Sequence, residues 1–307
     1  MGKFLIVIIG PTAIGKTALS IKLANYFETA IISCDSRQFF KEMKIGTAVP
    51  SDEELASAQH HFIQNKSIFD SYTVGDYEKE TISKLDAIFK TNDFAVLVGG
   101  SGLYVNAVLQ GFDTFPEIDS KIRSEIKDNY EASGLSYLQE KLKDTDREYY
   151  SFLQKTNPQT LQNPQRLMRF VEVGLGTGAP YSSFLNQKKI KRNFTPIIIG
   201  LEANREELYQ RINLRVDEMI AKGLVEEAKN LYKFRNLNAL QTVGYRELFN
   251  YFDGEISLEI AIEEIKKNTR RFAKRQLTWF KRTDDVYWFD YKLNTSAIID
   301  FIKVASK

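Results

Sequence analysis

Residues Gly10 to Thr17 read GPTAIGKT and fit the pattern G-x-x-x-x-G-K-[ST]. A loop of this kind aims backbone N–H groups and a helix N-terminus at phosphate oxygens. Lys16 adds a point charge, and Thr17 offers a hydroxyl to Mg²⁺. The cradle alone does not say which phosphate compound it holds. A later run, FAVLVGGSG, ends in glycines where nucleotide-hydrolysing P-loop proteins place a Mg²⁺-holding carboxylate, so a conventional ATPase fits poorly. Asp35, in CDSRQ, is the strongest carboxylate candidate. It has the chemistry of a general base and equally that of a turn aspartate. Ser101, in GGSGLY, is by itself as well explained as a loop serine. Arg215, one helical turn from Arg211, is by default a solvated arginine. His60 and His61 have no Cys or His cluster to join, and no metal site is expected there.

Three apolar runs must position these residues. FLIVIIG leads into the glycine-rich loop, AIIS into Asp35, and FAVLVGG into Ser101. Each reads as a buried strand, and the first and third are followed by helical stretches: Leu19, Leu23 and Phe27 recur at four-residue steps after the first, and Leu103 to Leu109 follows the third. Strand-then-helix units of this sort predict an α/β core with a mostly parallel sheet flanked by helices. Ligands of such sheets bind outside the carboxyl ends of the strands, where the loop, Asp35 and Ser101 would all lie. From about Pro116 to Arg192 only helical spacing is found, until TPIIIGLEA restores a strand. The expected organisation is therefore a core over residues 1–115 and 193–307, interrupted by an all-helical insertion over 116–192. Asn204 and Glu207 resemble a capping box opening the helix that carries Tyr209, Ile212, Val216 and Met219.

Composition bounds the rest. A chain of 307 residues with 43% hydrophobic and 27% charged side chains can bury a core without staples, and its single Cys34 excludes an internal disulfide or a multi-cysteine zinc site. The N-terminal apolar run is too short for a bilayer span, so a cytoplasmic location with no membrane partner is expected. Net charge is only +2, but its distribution is uneven. Lys266 to Arg282 holds eight basic residues and no acidic one, and Gln165 to Arg192 holds six against Glu172. In NTRRFAKRQLTWFKR, Ala273, Leu277 and Phe280 can line one helix face while Arg270, Arg271, Lys274, Arg275 and Lys281 project around the other. Such a face suits a phosphate backbone, with affinity but not sequence preference coming from those contacts.

Taken together, GPTAIGKT, DSRQ, GTAVP (Gly46 to Pro50), HHFI, VGGSGLY, NPQRLMR, QTVGYREL and TRRFAKRQLTWFKR resemble, nearly end to end and in order, the tRNA dimethylallyltransferase (tRNA isopentenyltransferase) family of bacterial type. The resemblance implies transfer of a dimethylallyl group from dimethylallyl diphosphate to N6 of the adenosine 3′-adjacent to the anticodon, in tRNAs reading U-initial codons. Diphosphate leaves, and Mg²⁺ assists. It implies that Gly10, Pro11, Thr12, Ala13, Ile14, Gly15, Lys16, Thr17 and Arg215 hold the diphosphate, with Thr17 on Mg²⁺. Asp35 would be the base, and Ser101 would contact the reacting nucleotide. It further implies a tRNA anticodon stem-loop contacted by Asp35, Ser36, Arg37 and Gln38, by Ser101 and Arg123, and by Gln165, Arg166, Leu167, Met168 and Arg169. Gln241, Thr242, Val243, Gly244, Tyr245 and Arg246 are further candidates, beside the basic Arg270, Arg271, Lys274 and Arg275. The insertion would then be a helical arm gripping the loop from the side opposite the core. A monomer is expected, without the C-terminal zinc finger of eukaryotic members. Ser101 replaces the family's usual threonine, and Phe272 its usual tyrosine.

Three other readings compete. A small-molecule P-loop kinase would consume ATP, and a non-catalytic P-loop RNA-binding switch would need no base at Asp35. An adenylate isopentenyltransferase acting on free nucleotides would need neither the basic helix nor the insertion.

Overall fold

The computed structural model describes residues 2–113, 115–185 and 191–307. The chain divides into two compact units, one formed by residues up to 110 and from 191 onward, the other by 111–190. In the first unit six strands form one sheet: β1 (Phe4–Ile9), β2 (Ile31–Ser33), β3 (His60–His61), β4 (Phe94–Val98), β5 (Thr195–Glu202) and β6 (Val286–Asp290). Their order is β3-β2-β4-β1-β5-β6, and every pairing is parallel. All carboxyl ends therefore lie along one edge, and the loops after β1, β2 and β4 leave from neighbouring strands. The His60–His61 strand, which sequence periodicity is too short to reveal, pairs with Ile31 and Ile32 at one end of the sheet.

The apolar runs are continuous because the sheet is covered on both faces. Leu5, Val7, Ile9 and Leu97 point to one side and join Tyr77, Leu85, Val105 and Val108. Ile6, Ile8, Val96 and Ile199 point to the other and join Leu19, Leu23, Ile212 and Ile302. The alternation follows from the two-residue period of a strand. The covering helices in the first part of the chain are α1 (Lys16–Tyr26), α2 (Asp52–Ser57), α3 (Val74–Ile88) and α4 (Gly102–Gln110). Capping boxes open α2, through Ser51 and Glu54, and α3, through Thr73 and Asp76.

The second unit contains α5 (Ser120–Thr145), α6 (Arg147–Thr156) and α7 (Pro164–Thr177), with short 3₁₀ turns, and among its described residues there is no strand. Helix α5 breaks at Gly134, whose φ of 71° is left-handed. Leu138, Leu142, Leu167 and Val171 form this unit's own core. Asp146, 4% exposed, caps α6 through the Tyr149 N–H and also accepts from the Ser182 N–H. Two of the six basic residues between Gln165 and Arg192, Lys188 and Lys189, lie outside the described residues.

The returning chain supplies α8 (Arg205–Ala221), α9 (Leu224–Leu231), α10 (Tyr245–Phe252), α11 (Leu258–Phe280) and α12 (Thr295–Ala305). A third cluster, including Met43, Leu224, Leu240, Tyr245, Leu248 and Ile265, packs α9 to α11 together. At the start of α8 Asn204 accepts from the Glu207 N–H at 2.8 Å, while the Glu207 carboxylate accepts from Lys292. The expected capping box is thus one-armed, because a lysine near β6 engages the carboxylate.

Candidate active site

The loop between β1 and α1 is shaped by its glycines. Gly10 has φ +148°, and a Cβ there would stand 2.7 Å from the Leu201 carbonyl oxygen. Gly15 caps α1 with φ +107° and no side-chain hydrogen bond, so the first-turn N–H groups of α1 have no side-chain cap. Such an end is suited to an anion. Ile14 is 1% exposed, its side chain held in the core beneath the loop. The Lys16 ammonium donates to the Gly10 and Pro11 carbonyl oxygens at 3.0 and 2.7 Å.

This loop borders a cavity of about 750 Å³ in the first unit. Its walls include Thr12 to Thr17, Ser33, Asp35, Gln38, Thr47 to Pro50 and Gly99, with Arg211, Leu214, Arg215, Phe272 and Gln276 from α8 and α11. Burial lowers the pKa of Lys16 to about 8, helped by the Arg215 charge and opposed by Asp35. Burial likewise lowers Arg215, with Asp35 and Glu218 acting in the opposite sense. Lys16 and Arg215, whose charges disfavour one another, share this hollow with Lys44, Arg211 and Lys222 and with Asp35, Asp52, Glu54 and Glu218, so a polyanion between the first two would offset their repulsion.

Asp35 makes a turn and also faces the cavity. Its Oδ1 accepts the Arg37 N–H at 3.0 Å, which is turn chemistry, while the residue lines the cavity beside the phosphate loop. Arg37 and Gln38 turn inward. Arg37 donates to the Asn238 and Ala239 carbonyl oxygens at 2.9 and 3.0 Å, and Gln38 to those of Thr47 and Ala48 at 3.2 and 3.0 Å. Ser101 is not among the lining residues. Its hydroxyl accepts the Ser36 N–H and meets the Ser36 hydroxyl, both at 3.3 Å, so it braces the Asp35 loop.

Other expected contacts divide by exposure. Gln165, Arg166, Gln241 and Arg246 are exposed, and Met168, Thr242 and Val243 partly so. Leu167 and Tyr245 are fully buried and Gly244 is buried too, which corrects their reading as nucleic-acid contacts: two fill cores, and the Gly244 N–H donates to Glu247. In the second unit Arg123 and Arg169 share one oxygen of Glu172, at 3.1 and 3.4 Å. The basic stretch of α11 is not one free face. Lys266 pairs with Asp217 and Glu263, Lys267 with Glu264, Lys281 with Glu202, and Arg270 donates to Asn213. Arg271, Lys274 and Arg275 remain exposed.

Three residues escape a reading by sequence. Arg211 donates to the Ala13 carbonyl oxygen at 2.7 Å, bracing the phosphate loop from α8. Glu227 accepts the backbone N–H groups of Lys44, Ile45 and Gly46 and so holds the wall that leads to Thr47 and Ala48. Gln276, 6% exposed, bonds to both Thr12 and Gly100. A polar residue on the apolar stripe of Ala273, Leu277 and Phe280 was the available signal for the last. Among the described residues no group of three or more His, Cys, Asp or Glu side chains forms a metal cluster, and no helix is long and apolar enough to cross a membrane.

The family model described as IPP transferase matches residues 38–283. The tRNA dimethylallyltransferase of Flavobacterium johnsoniae is 66% identical, covering 98% of this chain and 97% of that protein, and tRNA dimethylallyltransferase 1 of Bacteroides fragilis is 45% identical over 94% and 93%. The crystal structure of full-length tRNA isopentenylpyrophosphate transferase from Bacillus halodurans superposes with a TM-score of 0.72 at 35% identity, covering 98% of this chain and 96% of that one. A eukaryotic dimethylallyltransferase acting on tRNA gives a TM-score of 0.82 at 26% identity, covering 99% and 80%. With a matching family model over most of its length and full-length relatives at this identity, the chain belongs to the tRNA dimethylallyltransferase family of transferases.

Proposed function

We propose that this chain transfers the dimethylallyl group of dimethylallyl diphosphate to the exocyclic N6 of the adenosine 3′-adjacent to the anticodon, in tRNAs reading U-initial codons, and releases diphosphate. The observation that carries the reading is the shared cavity in which the glycine-rich loop, Lys16 and Arg215 face Asp35. As the allylic C–O bond breaks, negative charge grows on the departing diphosphate. The N–H groups of Gly15 to Thr17 are fixed donors for that charge, costing little reorganisation, while Lys16 and Arg215 add positive charge, Lys16 by turning from the Gly10 and Pro11 carbonyl oxygens toward the anion.

On the acceptor side, the amino group of adenine is a weak nucleophile because its lone pair is delocalised into the ring. Orientation and proton removal therefore matter most. Asp35 uses Oδ1 in its turn and retains Oδ2 to accept the N6 proton as the C–N bond forms. The target base must leave its stack in the anticodon loop to enter such a cavity, a step single-stranded loops tolerate. Exposed Arg271, Lys274 and Arg275, with Gln165 and Arg166 of the helical unit, supply charge and polar groups for the stem-loop.

The donor set fits Mg²⁺. That ion keeps several waters and binds through few protein oxygens plus substrate phosphates, and Thr17 lines the cavity without a carboxylate cluster beside it. Thr17 would hold it, and when bound it would neutralise diphosphate charge. A monomer acting in the cytoplasm completes the proposal.

The test is incubation with radiolabelled dimethylallyl diphosphate, Mg²⁺ and unmodified tRNA, beside an ATP control. The reading expects label on the adenosine 3′ of the anticodon, with one diphosphate released per label and no need for ATP. Absence of label, or phosphoryl transfer from ATP, contradicts it.

A further inference from the structure

The carboxamide of Gln276 is bonded at both ends. Oε1 accepts the Thr12 N–H at 2.9 Å, and Nε2 donates to the Gly100 carbonyl oxygen at 2.9 Å. Those partners lie in the loops that follow β1 and β4, which are neighbours in the sheet. Rotating the amide by half a turn would set donor against donor and acceptor against acceptor, so the two bonds fix its orientation. The approach is also close. A Cβ on Gly100 would stand 2.2 Å from Nε2 of Gln276, and one on Gly102 would stand 2.2 Å from Cδ1 of Trp279. The glycines after β4 therefore let α11 dock directly on the loop. One residue further, Ser101 bonds to Ser36, beside Asp35. A continuous path of hydrogen bonds and backbone thus runs from the phosphate loop, through Gln276, to the loop that carries the carboxylate.

We propose that Gln276 is a positioning residue that sets the spacing between the diphosphate-binding loop and the loop bearing Asp35. It touches neither reacting atom. The proposal rests on the reading under Proposed function, since spacing matters only if donor and acceptor meet in this cavity. Helix α11 also presents Arg271, Lys274 and Arg275 outward, so one element carries both the exposed charge and the internal tie.

Two variants separate this role from mere packing. Gln276→Met keeps the volume and loses both bonds. Gln276→Glu loses the donor when ionised, but in its protonated form regains an O–H for the Gly100 carbonyl beside a C=O for the Thr12 N–H. Turnover of each is divided by that of the unsubstituted enzyme at the same pH, so that titration of other groups cancels. Misplacement of reacting groups by an ångström costs up to about 10²-fold. The methionine variant is accordingly expected to lose between about 10-fold and 10²-fold in kcat at every pH, with tRNA affinity within about twofold. The glutamate variant is expected to match that loss at pH 8 and to recover as pH falls through the pKa of the introduced carboxyl, which burial at this site, 6% exposed, holds above the usual value of about 4.3. A flat ratio for the glutamate variant, or full turnover by a folded methionine variant, overturns the proposal. Should the methionine variant fail to fold, the pH ratio of the glutamate variant decides alone. Failure of the unsubstituted chain to transfer a prenyl group sinks the functional reading instead. In that case the same ratio, read from calorimetric binding of Mg²⁺-pyrophosphate, still tests the tie.

Discussion

Tyr245 donates its hydroxyl to Oε1 of Glu227 at 2.7 Å, and that carboxylate also accepts three consecutive backbone N–H groups, from Lys44, Ile45 and Gly46. Gly46 lies so close to the Tyr245 ring that a Cβ would come within 2.6 Å of it. One side chain on α9 thereby holds the GTAVP segment, whose Ala48 carbonyl receives Gln38 and lies 3.5 Å from an Arg215 nitrogen. Replacing Glu227 with glutamine weakens four bonds to an ionised acceptor and puts an amide donor against at least one N–H. Loss of about 1–3 kcal/mol is expected, measured by urea unfolding. Tyr245→Phe, which removes one donor and leaves three, should cost about 1 kcal/mol.

Asparagine at position 35 can keep the turn, because its carbonyl oxygen still accepts the Arg37 N–H. It cannot take a proton. Asp35→Asn should therefore lower turnover by about 10²-fold or more while leaving tRNA affinity nearly intact. Single-turnover rates with filter-binding affinities check this, and normal turnover would remove the proposed base.

Lys16 has its pKa lowered to about 8, chiefly by burial and then by Arg215. Below pH 8 the free enzyme carries the ammonium, and above it the charge is lost. The kcat/KM for the donor should then decline above about pH 8, and Lys16→Arg should abolish that decline, since arginine stays protonated. The linkage to stability has the opposite sign. The unfolded chain keeps this proton to near 10.5 and the folded one only to about 8, so between those values Lys16 makes the fold more stable as pH rises.

Exposed and paired cations of α11 should behave differently toward RNA. Neutralising Arg271, Lys274 and Arg275 together should weaken tRNA binding and flatten its salt dependence, by about 0.7–0.9 in log–log slope for each phosphate no longer matched by a cation. Neutralising Lys267 and Lys281, which already face Glu264 and Glu202, should change that slope far less. Binding titrations across a range of salt concentrations distinguish the two sets.

The strands and phosphate loop were legible because their signals are local. FLIVII is apolar without interruption, and Gly10, Gly15, Lys16 and Thr17 sit at fixed spacing. Asp35 could be placed at a strand end, but not assigned, since a turn and a base use the same carboxylate. What local pattern cannot carry is a bond between distant segments. Gln276 looked like one more polar residue in a basic run, yet its partners lie 264 and 176 residues away. Glu227 is likewise separated from Lys44 by 183 residues. Charge counting also overstated the free cations of α11, because Asp217 and Glu202 reach it from other elements.

A crystal structure of the enzyme with Mg²⁺ and an unreactive thiolo analogue of dimethylallyl diphosphate tests the shared cavity most directly. The account predicts diphosphate oxygens on the N–H groups of Gly15 to Thr17 with Lys16 and Arg215, and the allylic carbon facing Asp35. A nucleoside triphosphate seated in that loop while the analogue binds elsewhere, or not at all, would contradict it.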